Sequence, residues 1–155
     1  FIKSSDYSKI IISEKNKEVE IPICYDEEFA LDIKRLESKT KLSFKEIVDK
    51  HLKTEFFVYM IGFVPGHPFM GDLAKELEID RLETPRVKLP KGSVGIVEKF
   101  CNIYSFESPG GWNIIGKTPL NLFDINKKVP SKLLPGDTVK FKSISKKDLL
   151  IFKNE

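Results

Sequence analysis

Eight of the nine prolines and all nine glycines of this 155-residue chain fall between residues 62 and 136. A stretch punctuated that densely cannot carry long helices, because proline removes a backbone donor and clashes with the preceding turn, and glycine adds an entropic cost to any helix it enters. What lies between the breaks is a series of short apolar runs, the pattern of an all-β barrel or sandwich. Residues 56–62, apolar without alternation, predict a strand buried on both faces. Further strands are predicted at 93–97, 102–106, 113–116, 120–123 and 138–143, the last preceded by a Pro135-Gly136-Asp137 turn, with residues 148–152 closing the sheet.

The N-terminal third reads differently. Residues 1–17 are polar and lysine-rich apart from Ile10-Ile11-Ile12, a short strand or the tail of another domain. Val19, Ile21 and Ile23 alternate as a strand that Pro22 confines to an edge. Asp26 is placed to cap a helix over residues 27–38 whose face is Phe29, Ile33 and Leu36. Ser43 and Glu46 form a capping box ahead of a second helix, with Phe44, Ile47, Val48, His51 and Leu52 facing inward. His51 on that apolar edge reads as a packing residue.

Charge and composition exclude several classes. A formal net charge of +3, from 26 basic and 23 acidic residues, describes a mixed solvated surface, and the doublets Lys127-Lys128 and Lys146-Lys147 are too short for a nucleic-acid footprint. No apolar run approaches the ~18 residues of a membrane span. Cys24 and Cys101 read as free thiols of a cytoplasmic protein. Two histidines without spaced Cys or Asp partners make a metal site improbable. The chain starts at Phe1 without a leader, so residues 1–25 are expected to be the end of an N-terminal domain lying mostly outside this sequence, and residues 26–155 the barrel.

Two glycine-rich loops carry the candidate chemistry. In Ser105–Pro119, Pro109-Gly110 suits the centre of a type II turn, Gly111 and Trp112 follow, and Glu107 and Ser108 precede, so a carboxylate, a hydroxyl, free amides and an indole come together. Gly111-Trp-Asn-Ile-Ile-Gly116-Lys117-Thr118 also satisfies the P-loop pattern. Pro119 forbids the helix a phosphate loop needs, and Ile114 and Ile115 favour extended backbone, so the match is accidental. In Gly62–Gly71, His67 sits between Gly66 and Pro68 with its ring expected to be reachable. Arg86, in an extended segment after Pro85, offers a bidentate fork to a carboxylate. Gly92-Ser93-Val94-Gly95 is no nucleophile elbow, since Lys91 stands where glycine is required. The residues alone suggest a small-anion or amide pocket and leave its ligand open.

Taken together, Ile21-Pro-Ile-Cys-Tyr25, Gly62-Phe-Val-Pro-Gly-His-Pro-Phe-Met-Gly71, Thr84-Pro-Arg86, Pro90-Lys-Gly-Ser-Val-Gly-Ile96, Ile103–Trp112, Ile115-Gly-Lys-Thr-Pro-Leu120, Leu122-Phe-Asp124 and Leu134-Pro-Gly-Asp137 resemble, in that order, the family of the B-type subunit of 5-oxoprolinase. That family is also called allophanate hydrolase subunit 1 and includes the sporulation kinase inhibitor KipI. The resemblance implies a cyclophilin-like closed antiparallel β-barrel with two short helices before it, following an N-terminal α/β domain. It implies a non-ATP-binding subunit that works with a homologous C-type subunit, and with an A-type subunit, in ATP-dependent opening of a small amide such as 5-oxoproline. On this expectation no cofactor is bound by the chain itself, and biotin enters only in a urea-carboxylase-like complex. His67, Asp72 and the segment 98–100 depart from the family pattern, with His67 standing where an aromatic is usual.

The enzyme reading assigns Arg86 to the substrate carboxylate and Glu107 to proton transfer, with Gly66, His67, Ser108, Gly110, Gly111 and Trp112 forming the rest of the site. The alternative is a regulatory module that binds a sensor histidine kinase through Phe63, Phe69 and Trp112.

Overall fold

The computed structural model describes residues 16–152. The elements run β1 (Glu18–Ile23), α1 (Ile33–Thr40), α2 (Phe44–Lys53), β2 (Glu55–Ile61), β3 (Pro68–Gly71), β4 (Arg86–Leu89), β5 (Ser93–Val97), β6 (Phe100–Ile103), β7 (Ser108–Gly110), β8 (Asn113–Lys117), β9 (Thr138–Ser143) and α3 (Lys146–Phe152), with one 3-10 turn at Lys75–Leu77. Seven strands form one sheet in the order β1-β9-β2-β3-β6-β5-β8, and β4 pairs with β7 as a separate two-stranded flap.

The sheet curls until its ends meet. Cys24, just past β1, exchanges two backbone hydrogen bonds with Lys117 of β8, at 2.8 and 2.9 Å. This closure gives the cyclophilin-like barrel. Its strand pairs are antiparallel except β1 with β9, which run parallel from Glu18↔Thr138 to Ile23↔Ser143. Pro22 is tolerated because β1 stands at the end of that order. Ile21 and Ile23 are fully buried in the same core as α1, α2 and the later strands, so residues 18–25 pack with the barrel itself.

A strand's two-residue period gives the sheet two different faces. Met70, Ile96, Cys101 and Ile103 point into the main core with Ile33, Leu36 and Ile47 of the helices. Their neighbours Phe69, Gly95 and Asn102 lie on the opposite face, aligned by the pairings Phe69↔Asn102, Asn102↔Gly95 and Gly95↔Ile114. There a smaller cluster of Leu89, Tyr104 and Ile114 joins the flap to the sheet.

Several elements fall where the sequence places them. Ser43 and Glu46 make the full capping box on α2, β9 covers 138–143, and both cysteines are free and buried. A strand runs through the P-loop-like match, with no helix after it. Others are corrected. The first helix starts at Ile33, because the amides of Phe29 and Ala30 turn back onto the Asp26 carbonyl and residues 26–32 form turns. β2 alternates, burying Phe56 and Val58 while Phe57, Tyr59 and Met60 face outward, so it is covered on one face only. Residues 120–123 contribute just one isolated bridge, Phe123 with Ser131. Residues 146–152 are a helix, its first turn held by the Ser145–Asp148 hydrogen bonds, and do not close the sheet. Ile10-Ile11-Ile12 lies outside the described residues.

His51 is a core residue, as expected. It is fully buried, its Nδ1 lies 2.7 Å from the Tyr25 hydroxyl and its Nε2 3.6 Å from Cys101 Sγ, and its ring packs on Phe56 and Phe141. Burial pushes its pKa down to about 3 and raises both the Cys101 thiol and the Tyr25 phenol. The imidazole is therefore neutral in the fold and titrates near its ordinary value, about 6.5, once unfolded. The unfolded chain binds the extra proton, so the stability present above pH 6.5 is lost as pH falls toward 3, at about 1.4 kcal/mol per pH unit well below 6.5. His67, whose pKa burial pushes down to about 4, adds a second contribution of the same sign. Urea unfolding between pH 6.0 and 5.0 is therefore expected to show a slope that His51→Leu reduces by about 1 kcal/mol per pH unit without abolishing it; an unchanged slope contradicts the assignment.

Candidate functional site

Phe69 and Asn102, on the sheet face away from the main core, line a cavity of about 160 Å³. Phe63, His67, Tyr104, Arg81 and the Gly110-Gly111-Trp112 segment complete its lining. Gly95 leaves room beside Asn102: a Cβ there would sit 2.9 Å from Asn102 Oδ1 and 3.0 Å from Trp112 Cβ. Gly110 does the same beneath the flap, where a Cβ would overlap the Tyr104 hydroxyl.

His67 is held by a tight loop, with the Gly62 amide bonded to the His67 carbonyl and the His67 amide to that of Val64. Gly66 has φ +70°, and a side chain there would strike Phe123 and the Leu122 carbonyl. Phe63, 64% exposed at the mouth, has φ +70° as well, a conformation that is costly for an aromatic residue and typical of ligand-binding loops. The Ser105 hydroxyl donates to the Pro65 carbonyl at 2.7 Å and ties this loop to the other glycine-rich segment.

The polar atoms of the cavity are unevenly satisfied. His67 Nε2 lies 3.1 Å from Asn102 Nδ2, while His67 Nδ1 and Asn102 Oδ1 have no partner although both residues are only 1% exposed. Orphaned buried groups of this kind are rare and costly. Burial pushes the His67 pKa down to about 4, so the ring is neutral at pH 7. Burial also raises the Tyr104 phenol, against hydrogen bonds from Asn102 and the Trp112 backbone and against the charges of Arg81 and Arg86.

Arg81 supplies the cavity's positive charge. Its backbone is pinned, since Arg35 donates to the carbonyls of Asp80 and Arg81 and the Leu82 amide donates to the Gly111 carbonyl. Gly111 leaves space for the guanidinium, because a Cβ there would lie 3.0 Å from Nη2. Among the described residues no carboxylate pairs with it. Nor do the described residues contain a group of His, Cys, Asp and Glu able to hold a metal, or a helix long and apolar enough to cross a membrane.

The structure brings His67, Gly110, Gly111 and Trp112 to this cavity and sends Arg86 and Glu107 elsewhere. Arg86 spends its fork on Asp32, Nη2 to Oδ1 at 2.7 Å and Nη1 to Oδ2 at 2.9 Å. Glu107 is solvent-exposed, pairs with Lys88 at 3.0 Å, and lines a different groove with Lys91 and Thr118. Ser108 turns its hydroxyl to the Phe106 carbonyl, and Gly66 lies behind His67. Two local readings change. Pro109 and Gly110 are extended in β7 with no positive φ at Gly110, so they do not centre a type II turn, and the His67 ring is buried in the wall. Arg81 and Asn102 had no motif to mark them, and Tyr104 lay within the Ile103–Trp112 stretch without being singled out. The one available signal was Asn102, a polar residue inside an otherwise apolar strand.

The fold defines a cyclophilin-like barrel domain with a small cavity between one sheet face and the flap. Residues 3–133 match the family model described as carboxyltransferase domain, subdomain C and D, and the chain belongs to that family. It is 44% identical over 137 residues to the B-type subunit of 5-oxoprolinase from Bacillus subtilis (strain 168), covering 88% of this chain and 57% of that protein. It is 41% identical over 127 residues to the corresponding 5-oxoprolinase subunit of Haemophilus influenzae, covering 82% and 60%. The chain thus spans little more than half the length of these relatives. Among solved structures, the conserved uncharacterized protein PH0987 from Pyrococcus horikoshii superposes with a TM-score of 0.82 at 44% identity, covering 86% of this chain and 62% of that one. Urea carboxylase of Kluyveromyces lactis, at 19% identity and a TM-score of 0.74 over 88% of this chain and 14% of that one, shares the fold.

The Asp32–Arg86 geometry gives a stability test. Arg86→Ala leaves a carboxylate that is 6% exposed without its fork, and is expected to cost about 3 kcal/mol in urea unfolding. A loss below about 0.5 kcal/mol would place the pair among surface ion pairs of little consequence.

Proposed function

We propose that this chain is the barrel domain of a B-type, non-ATP-binding subunit of a 5-oxoprolinase or a related amide-processing complex, working in the cytoplasm with a homologous C-type subunit and an A-type subunit. The observation that carries the reading is the cavity: an arginine at its edge without a carboxylate partner among the described residues, glycine-lined walls and buried polar atoms that lack partners. A small carboxylate supplies the partner that Arg81 lacks among the described residues. The relatives named as the B-type subunit of 5-oxoprolinase support the same reading.

Size limits what else the cavity takes. About 160 Å³ is the room of roughly five water molecules at ~30 Å³ each, suited to a ligand of amino-acid size. A nucleotide is too large for this cavity, and in this reading ATP belongs to another subunit. Biotin belongs to the reading only where the whole complex is of the urea-carboxylase kind. Arg81 takes over from Arg86 as the carboxylate's partner, and the Gly110-Gly111 backbone and Trp112 close over the ligand. Trp112 and Phe69 pack on each other at 5.9 Å and both line the cavity, and no relative named here carries a kinase-binding role in support of docking to a histidine kinase.

The test is reconstitution of the full-length protein with its C- and A-type subunits and measurement of ATP-dependent 5-oxoproline opening. Arg81→Ala is expected to raise KM for 5-oxoproline by tenfold to about a hundredfold, the weight of a charge-assisted hydrogen bond, with a smaller change in kcat. Absence of turnover by the native complex, or an unchanged KM in the variant, overturns the reading.

A further inference from the structure

The loop between β2 and β3 holds two residues at φ +70°, and only one of them is the residue that backbone sterics favour there. Gly66 is glycine, which adopts positive φ at no steric cost. Phe63 is an aromatic, in a turn where the Val64 amide donates to the Gly62 carbonyl at 2.9 Å across a single intervening residue. A hydrogen bond across one residue with positive φ at its centre is the rare, strained form of the γ-turn. The side chain that bears this cost returns little to the fold, since Phe63 is 64% exposed and its ring meets that of His67 edge to face at 5.5 Å.

The turn is not free to relax by shifting. The Gly62 amide donates to the His67 carbonyl at 3.0 Å, the His67 amide to the Val64 carbonyl at 3.2 Å, and the Ser105 hydroxyl to the Pro65 carbonyl at 2.7 Å. The Phe63 ring is thereby fixed at the cavity opening. Phe69, Tyr104 and Trp112 add further rings to the lining, and Arg81 adds the charge. A lining of that kind matches a flat, largely apolar body that carries one anionic group.

We propose that Phe63 is a specificity residue, held in its strained turn so that its ring covers the body of a small cyclic carboxylate whose charge lies at Arg81. This rests on the reading of the cavity as the ligand site and adds which part of the ligand is selected, the ring. Strained backbone persists at ligand-binding loops where the bound state gains from the geometry it imposes. Phe63 is exposed in the free protein, so a ring that packs against it removes apolar surface of both from water. A carboxylate without a ring reaches Arg81 and gains nothing from Phe63.

The experiment is NMR titration of the full-length protein and its Phe63→Ala, Phe63→Gly and Phe63→Tyr variants with 5-oxoproline, cyclopentanecarboxylate and acetate. Native protein is expected to bind at least one of the two cyclic carboxylates more tightly than acetate by about tenfold or more. Phe63→Ala and Phe63→Gly are expected to lose most of that preference while acetate affinity stays within about twofold, and Phe63→Tyr to keep it. Alanine retains the strain and glycine relieves it, so in urea unfolding the glycine variant is expected at the higher midpoint of the two. A ring preference that survives in Phe63→Gly overturns the proposal. So do a native protein that binds none of the three or does not prefer a ring to acetate, an equal loss of ring and acetate binding in the variants, and a glycine variant no more stable than the alanine one. Loss of the C-type subunit from the variants with the ring preference intact assigns Phe63 to a subunit contact and likewise overturns it. Phe63-dependent binding of cyclopentanecarboxylate without binding of 5-oxoproline leaves the proposal standing and defeats the proposed function. Turnover of 5-oxoproline by a complex indifferent to Phe63 does the reverse.

Discussion

One buried carboxylate holds the cavity-bearing half of the molecule in register. Asp32 precedes α1, yet its side chain makes no cap on that helix. Its Oδ2 accepts from the Ile114 amide at 2.7 Å and both its oxygens accept from Arg86. The helix start, the sheet strand β8 and the flap strand β4 are thereby fixed to one point. A carboxylate so deep is tolerable because every hydrogen bond it receives is charge-assisted and a cation neutralises it.

That fixation decides what the flap can do. β7 lies beside β4, so the anchor at Arg86 sets the height of Gly110, which pairs with Arg86 across the flap, and of Gly111 after it. Leu89, Tyr104 and Ile114 fill the space beneath. The cavity is what remains between a sheet face that carries Asn102 and a flap that cannot sink further, since the Tyr104 hydroxyl already touches the Gly110 backbone. Arg86 thus bears on the cavity through the backbone it supports.

Short-range physics made much of the fold legible in the sequence. The capping box at Ser43 and Glu46, the alternation of Val139 and Phe141 and the proline-bounded apolar runs are local signals, and each produced the expected element. What failed depended on partners distant in the chain. Asp26 looked like a cap, but the Asp32 carboxylate was drawn to Arg86, 54 residues away, and the helix began later. Pro109-Gly110 looked like a turn and was pulled straight by pairing with β4. Arg86 and Arg81 are indistinguishable as letters. Only the fold shows that one guanidinium meets a buried acid and the other meets an open space. The resemblance to known sequences supplied the barrel, whereas alternation about Asn102 needed the register of three strands to become legible.

The seam between Cys24 and Lys117 bears on how this domain can be assembled with others. An unsealed sheet displays a row of peptide groups to which any extended chain can add. Here the outermost strands are stitched to each other where that row would begin, and the lysine of the phosphate-loop lookalike has its backbone committed to the stitch. At that seam the peptide groups of both strands are already paired, so no further strand can be added there.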